Sequence, residues 1–414
     1  MTGTGGFGGI AKAFESRNFR IYFIGNFTHT VTVWVNRMAL AWLTWQLTHS
    51  PTWLGIVAAA NMLPTIVLGP IGGVTADRFG HRTQLVIATY IGGIVALMLT
   101  VLVAMDALTI HWLAFIVLIT GIIRGFNVPA RSALVSNLVE RQYLSSAIGI
   151  NSASFHGGNF IGPVIGGFLI NYLGISLAFF AYAAGEFIAA TSFLLLKLAP
   201  QQKTGKRFRL FSDLAEGFRY TWNHAGIFAV LSLTLVTALL IHPYVEMLPA
   251  FVARVYQMDA AGLAYLTAAT GAGAMVGGLW VARRGRMEGL VNIQLAMLAL
   301  AYVAIFTFAA TSILPVAMAA LCVAGFSLVS AQTSASSLVQ NAVDPAMRAR
   351  VVSLNGVIIV SMPAFGAMGI GWIAERTGVQ MPVMVAAAIA IMCLALLARR
   401  TAQNAKALEH TGER

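Results

Sequence analysis

The chain has 414 residues, 58% of them hydrophobic and only 10% charged. A soluble domain carries about 25% charged residues, so this composition excludes a water-soluble globular protein and points into a membrane. The formal net charge of +12 does not indicate nucleic acid, because Lys and Arg are spread through short loops rather than gathered on one module with interleaved aromatics.

Met1–Arg20 is Gly-rich and has no apolar core before a cleavage site, so no signal peptide is expected and the first membrane helix serves as its own targeting signal. A helix needs about 20 apolar residues to cross the hydrocarbon. Twelve such runs follow, at 19–47, 52–76, 83–105, 110–131, 145–173, 176–198, 224–256, 261–283, 288–310, 312–338, 348–374 and 380–398. With the N-terminus inside, nearly all Lys and Arg fall on one side of the membrane. The exceptions are Arg37 and Arg124 within helices and Arg254 and Arg376 outside, so both termini are expected in the cytoplasm.

Between the second and third runs stands the polar turn Gly73-Val74-Thr75-Ala76-Asp77-Arg78-Phe79-Gly80-His81-Arg82. Its glycines permit a sharp turn and close backbone approach. An Asp flanked by cations locks neighbouring helix ends through charge-assisted bonds. Gly73, Asp77, Arg78, Gly80 and Arg82 are therefore expected to form a conformational latch. Arg131, at the inner end of the fourth run, is expected to join it by pairing with Asp77 or Glu140.

The fifth run contains Gly158-Asn159-Phe160-Ile161-Gly162-Pro163-Val164-Ile165-Gly166-Gly167. Small residues at four-residue spacing allow close helix contact, and Pro163 removes a backbone donor and bends the helix. Generic tight packing is the plainer reading of Gly158, Gly162, Pro163, Gly166 and Gly167.

The longest loop, Ala199–Asn223, carries Lys203, Lys206, Arg207 and Arg209 and divides the runs six and six. Within it Phe211, Leu214, Phe218 and Trp222 recur at helical spacing with Asp213, Glu216 and Arg219 between them. That pattern describes an amphipathic helix on lipid, with a coil linker as the alternative. The expected organisation is a six-helix half at 1–198, a cytoplasmic amphipathic linker at 199–223, and a second six-helix half with a short tail at 224–414.

The halves repeat each other. Ser132–Glu140 matches Ser336–Asp344, and the same offset superposes Gly121 on Gly325, Asn151 on Asn355, Gly162 on Gly366, Gly167 on Gly371 and Gly174 on Gly378. An even number of helices per half makes the repeats parallel, which places a substrate site between halves and lets access alternate. The polar turn has a decayed counterpart at Gly278–Arg286, where Ala282 stands in place of Asp77; Ala367 likewise replaces Pro163.

Ionisable residues inside the membrane are costly and hence functional candidates. Glu246 lies in the seventh run with His242 one turn earlier, and aligning Leu54 with Leu263 sets it opposite Arg37. Arg37 and Glu246 are expected to form a proton-switchable gate, or else a static pair or a wetted carboxylate. Glu186 in the sixth run is expected to bond a neighbouring backbone or Ser, with proton coupling as the alternative. Arg124 faces an anionic substrate or snorkels to the interface. His29 and His156 are expected to make quiet interhelical bonds. Cys322 and Cys393 sit inside apolar runs, which argues against a disulfide or a thiolate metal site. The absence of metal-ligand spacing, a Walker loop, a nucleophile elbow and a zinc-protease helix leaves no cofactor, metal or enzyme chemistry to expect.

These segments carry a resemblance. Gly73–Arg82 resembles the signature loop of the major facilitator superfamily, Gly-x-Leu-Ala-Asp-Arg-x-Gly-Arg-Lys/Arg, from which Thr75 and His81 depart. Gly158–Gly167 is similar to the Gly-x-x-x-Gly-Pro-x-x-Gly-Gly pattern of its antiporters, in which the bend is thought to shape the gate and limit proton leak. Asn18–Arg20, Trp34–Leu43, Leu47–Ser50, Phe126–Arg131, Asn151–Ser154 and Met347–Leu354 are similar to the branch of the enterobactin exporter and macrolide-efflux proteins. The resemblance implies an all-α membrane protein of twelve transmembrane helices in two parallel six-helix repeats. It further implies a monomer in the bacterial inner membrane that exports an amphipathic small molecule against inward proton flow. A lysophospholipid flippase, an uptake permease and a non-transporting sensor or intramembrane enzyme are the alternatives.

Overall fold

A computed structural model of the chain describes residues 12–135, 138–198, 210–284 and 286–409. Lys203, Lys206, Arg207 and Arg209 of the expected linker, Ser136 and Asn137 of the repeat, and Gly285 lie outside the described residues, as do the side chains of His156, Phe211, Asp213 and Leu214. The chain divides into two compact units, one of Met1–Leu47 with Ala60–Phe208 and the other of Thr48–Ala59 with Arg209–Arg414.

The first unit is built from α1 (Arg17–Thr48), α2 (Pro51–Phe79), α3 (His81–Ala104), α4 (Ile110–Leu134), α5 (Leu144–Leu173) and α6 (Ile175–Leu194), the start of α2 belonging to the second unit. The second unit holds α7 (Leu210–Asn223), α8 (Ala225–Val236), a π turn (Thr237–Ile241), α9 (Tyr244–Arg254), α10 (Ala260–Arg284), α11 (Leu290–Ala310), α12 (Leu314–Ala342), α13 (Arg348–Thr377), α14 (Gln380–Gln403) and α15 (Ala405–Glu409). Among the described residues ten segments are long and apolar enough to cross a membrane, with α8 to α9 counted as one. The more polar α1 and α5, of 32 and 30 residues, complete the twelve.

Sequence explains much of this. A helix satisfies every backbone group inside lipid within its own segment, and the hydroxyls within these helices bond back to carbonyls one turn earlier, as Thr89 does to Leu85 at 2.7 Å. Exposed Ile87, Ile91, Ile94, Met98 and Val101 form a stripe on α3, the face a lipid-bathed helix requires. The connection from α2 to α3 is one residue, Gly80, whose φ of 94° favours glycine. Gly174 and Gly378, paired by the repeat, both adopt positive φ (91° and 82°) at the corners before α6 and α14. Each unit has its own core: Phe19, Tyr22, Leu85, Leu134 and Phe193 meet in the first, and Ile227, Val291, Leu338, Val351 and Leu408 in the second.

The seventh run departs from expectation. Its hydropathy predicts one helix over 224–256, yet the structure interrupts it with the π turn and a corner at Pro243. Proline cannot donate the helical bond, and the wider turn absorbs the misfit. Gly366 of α13 fills the bend, for a Cβ there would strike the Leu239 carbonyl and stand 2.6 Å from Pro243 Cγ.

Candidate functional site

The turn between α2 and α3 is fastened to two neighbours. Gln84 donates to the carbonyls of Gly72 at 2.7 Å and Phe126 at 2.9 Å, tying the turn to α4. Gly72 itself lies against the Gly125 carbonyl so closely that no Cβ fits. Gly73 is looser, with Pro129 4.0 Å from its would-be Cβ. Arg82 donates from Nε to the Phe193 carbonyl at 3.2 Å and from Nη2 to that of Leu194, covering the C-terminus of α6, where a cation is favoured. Asp77 Oδ1 lies 3.4 Å from His81 Nε2, and the Arg78 guanidinium sits 5.7 Å from the Phe79 ring centre.

Arg131 stands elsewhere than expected. Its described partners are Asn127 Oδ1, to which Nη2 donates at 2.7 Å, and the Phe193 ring at 6.0 Å; neither Asp77 nor Glu140 is among them. Asn127 passes the connection on, donating through Nδ2 to Thr89 Oγ1 at 3.0 Å. Helix α4 itself is held tightly against α2 at Gly121 and Gly125.

The glycines of α5 form one seam against α1. A Cβ on Gly158 would stand 2.7 Å from Thr30 Cγ2, one on Gly162 would strike Trp34, and one on Gly166 would stand 3.3 Å from Met38 Sδ. Thr30, Trp34 and Met38 are themselves four residues apart, so the two small and large ridges mesh along the helices. Pro163 and Gly167 are buried beside the seam, and Asn26 Nδ2 extends it by donating to Asn151 Oδ1 at 2.8 Å.

On its other side α1 meets α6, again through small residues. A Cβ on Gly25 would stand 2.6 Å from Ser192 Cβ, and one on Gly185 would strike Thr32. This close approach brings His29 Nδ1 to 2.6 Å from Glu186 Oε1, with side chains 12% and 3% exposed. Neither atom has a hydrogen-bond partner among the described residues; the contact between them is one of ion-pair distance. Tyr182 lies one turn before Glu186 on the same helix, and Gly92 of α3 lies beneath the carboxylate, its would-be Cβ 3.4 Å from Oε2. Arg131 attracts Glu186 electrostatically, and Arg124 and Arg131 both bear on His29. The sequence suggested a backbone group or a Ser as the partner of Glu186; among the described residues its contact is instead the histidine.

The remaining expected residues are more scattered. The Arg37 guanidinium lies 5.2 Å from the Trp34 ring centre in the first unit. His242 and Glu246 flank the Pro243 corner of the second unit, both half-buried. Exposed Arg124 donates from Nη1 to Asn61 Oδ1 at 3.2 Å. No group of three or more His, Cys, Asp or Glu that would hold a metal occurs among the described residues.

The transmembrane secretion effector family matches residues 10–413. The chain belongs to this family of the major facilitator superfamily. This major facilitator is 28% identical over 362 residues to the enterobactin exporter EntS of Escherichia coli O1:K1 / APEC, covering 85% of the chain and 84% of EntS. It is 29% identical over 140 residues to the multi-drug resistance efflux pump PmrA of Streptococcus pneumoniae serotype 4, a match spanning 33% of each. The nucleoside transporter NupG has the same fold, with a TM-score of 0.69 at 14% identity over 93% of the chain and 99% of NupG. So has a bacterial homolog of the human lysosomal transporter Spinster, with a TM-score of 0.70 at 14% identity over 97% and 98%. The major facilitator is therefore a multi-pass membrane transporter of an efflux family, not an enzyme.

Sequence reasoning did not join His29 to Glu186. Each was visible as a polar residue in an apolar run, but they are distant in the chain and share no local motif. The usable signal was the pair of small residues beside them, Gly25 and Gly185, which mark where α1 and α6 touch.

Proposed function

We propose that this major facilitator is a secondary active exporter of an amphipathic small molecule, driven by inward proton movement across the bacterial inner membrane. The halves at 1–198 and 224–414, joined by the cytoplasmic linker at 199–223, alternate access to a site between them in a monomer whose termini are both cytoplasmic. The observation that supports antiport best is the seam of Gly158, Gly162 and Gly166 beside Pro163, packed without free space on Thr30, Trp34 and Met38. A bend clamped this tightly keeps water from threading between α1 and α5, which an antiporter must do to avoid leaking protons. The exporter relatives support the direction of transport. Arg37 and Glu246 are proposed as an outer gate with His242 beside it, and Arg124 as a cation offered to an anionic substrate group.

The test is transport in proteoliposomes with an imposed pH gradient, screened over a catecholate siderophore, a macrolide, ethidium and a lysolipid. Accumulation that vanishes when a protonophore collapses the gradient supports the proposal. Transport that persists undiminished sinks the antiport claim, and redistribution of lysolipid alone turns the reading to a flippase.

A further inference from the structure

A transporter driven by protons needs a group that holds one out of water and gives it up on cue. Glu186 lies about 17 Å along a helix about 30 Å long, well within the span, and is 3% exposed. At 2.6 Å from His29 the two atoms are close enough for one proton to lie on either. Imidazolium with carboxylate and imidazole with carboxylic acid have the same composition, and both are net neutral. Removing that proton leaves a neutral imidazole beside a carboxylate, one negative charge in an apolar setting. Such a charge is costly unless paired.

The neighbours of the pair are few and specific. Its own helix α6 contributes Tyr182, one turn before Glu186 and buried. Helix α3 contributes Gly92 beneath the carboxylate and Tyr90, whose hydroxyl is engaged with Thr191 at 3.1 Å. Helix α4 contributes Arg131 and Arg124, the cations that bear on the pair. Arg131 is held short of a full ion pair, bonded to the neutral Asn127, with its Nε buried and without a hydrogen-bond partner among the described residues. It has donor capacity to spare for a carboxylate that loses its proton.

We propose that His29 and Glu186 form the proton-carrying site of this transporter. The proton is held while α1 and α6 are packed and passes to water when they part, and Arg131 then neutralises the carboxylate left behind. On release an O–H or N–H bond breaks, its electron pair stays on the pair of side chains, and water takes the proton, so no other reactant is needed. The proposal rests on the antiport reading, and the chain Arg131–Asn127–Thr89 marks the side from which the compensating charge arrives.

The test uses the full-length protein in lipid nanodiscs, titrated by infrared difference spectroscopy, with Glu186→Gln and His29→Gln. Glu186→Gln keeps the size and polarity of the side chain and removes only its ionisable proton, so it is expected to fold; thermal unfolding checks this, and His29→Gln gives a second route to the same site. A protonated-carboxyl band that titrates with an imidazole band, disappears in Glu186→Gln and moves by about one pH unit in His29→Gln supports the site. A band that survives Glu186→Gln, or is lost in Glu246→Gln instead, overturns it, as does a carboxyl band that does not respond to pH. In proteoliposomes, gradient-driven accumulation of ethidium is expected to fall about tenfold in Glu186→Gln, within the usual range of coupling between two ligands; accumulation equal to wild type overturns the coupling. Absence of gradient-driven export in the wild type, with the titration intact, refutes the exporter reading and leaves the protonatable pair standing.

Discussion

At the scale of single residues, α5 shows how differently two glycines of one helix behave. A Cβ at Gly162 meets Trp34 and the Val31 carbonyl, the latter at 2.9 Å, whereas at Gly157 nothing lies within 4 Å. The backbone oxygen of Val31 cannot rotate away, so overpacking is relieved only by parting α1 from α5. Gly162→Ala is therefore expected to cost about 1–3 kcal/mol, while Gly157→Ala gains about 1 kcal/mol of helix propensity. Thermal unfolding in detergent should lower the midpoint for the first and raise or hold it for the second; equal shifts would remove the seam as an explanation. The sequence pattern marked Gly162 as a contact but did not say with what. Four-residue spacing announces that a helix face is flat, and the partner that meets it is a property of the fold.

At the scale of elements, α7 is a strap whose inner side is bonded and whose outer side is greasy. Glu216 Oε2 lies 3.1 Å from Arg350 Nη1. The Tyr220 hydroxyl donates to Asp344 Oδ2 at 3.0 Å and accepts from the Asp344 N–H at 3.3 Å. Phe218 and Trp222 are exposed, with rings 5.9 Å apart, as an interfacial helix would present them to lipid. The amphipathic pattern was legible because hydrophobic period alone defines it. The bonds to Asp344 and Arg350, at the start of α13, were not, since they depend on where that helix begins. Burial, aided by Asp344, pushes the Tyr220 hydroxyl above its ordinary value of 10.0. The bond is accordingly complete below pH 10 and weakens as the pH climbs past the folded value. The ion pair is half-exposed and worth at most about 1 kcal/mol, so the tyrosine carries a comparable share of the attachment. Tyr220→Phe is expected to weaken the strap by about 1 kcal/mol, seen as faster amide exchange confined to Leu210–Asn223. Unchanged exchange there would mean that lipid contact alone holds α7.

At the scale of the whole chain, the two repeats solve the same problem with different residues. In the first, the end of α2 is secured by Asp77 beside His81, by Gln84 reaching Gly72 and Phe126, and by Arg82 covering α6. In the second, Ala282 offers no charge, and the junction is closed from the tail. Glu409 accepts from the N–H groups of Gly289 at 2.7 Å and Val291 at 2.9 Å, capping α11, and Asn341 holds the tail by donating to the Leu408 carbonyl at 3.0 Å. Comparing the repeats by sequence exposed the missing Asp, because equivalent positions can be superposed; it hid the substitute, because Glu409 has no counterpart to align. The two devices also differ in kind. A cap on α11 serves stability in every conformation, whereas a charge at a turn between spans is suited to bonds made in one state and broken in another. Glu409→Ala is expected to lower stability by about 1 kcal/mol with transport per folded molecule preserved. Asp77→Asn should leave unfolding nearly unchanged but slow transport about tenfold, the effect of about 1.5 kcal/mol from one charged hydrogen bond on a two-state equilibrium. Ala282→Asp, which adds a carboxylate with no matching contact, should change transport far less. Should Ala282→Asp prove as damaging as Asp77→Asn, the latch would belong to both repeats and the asymmetry argued from Asp77 would fall.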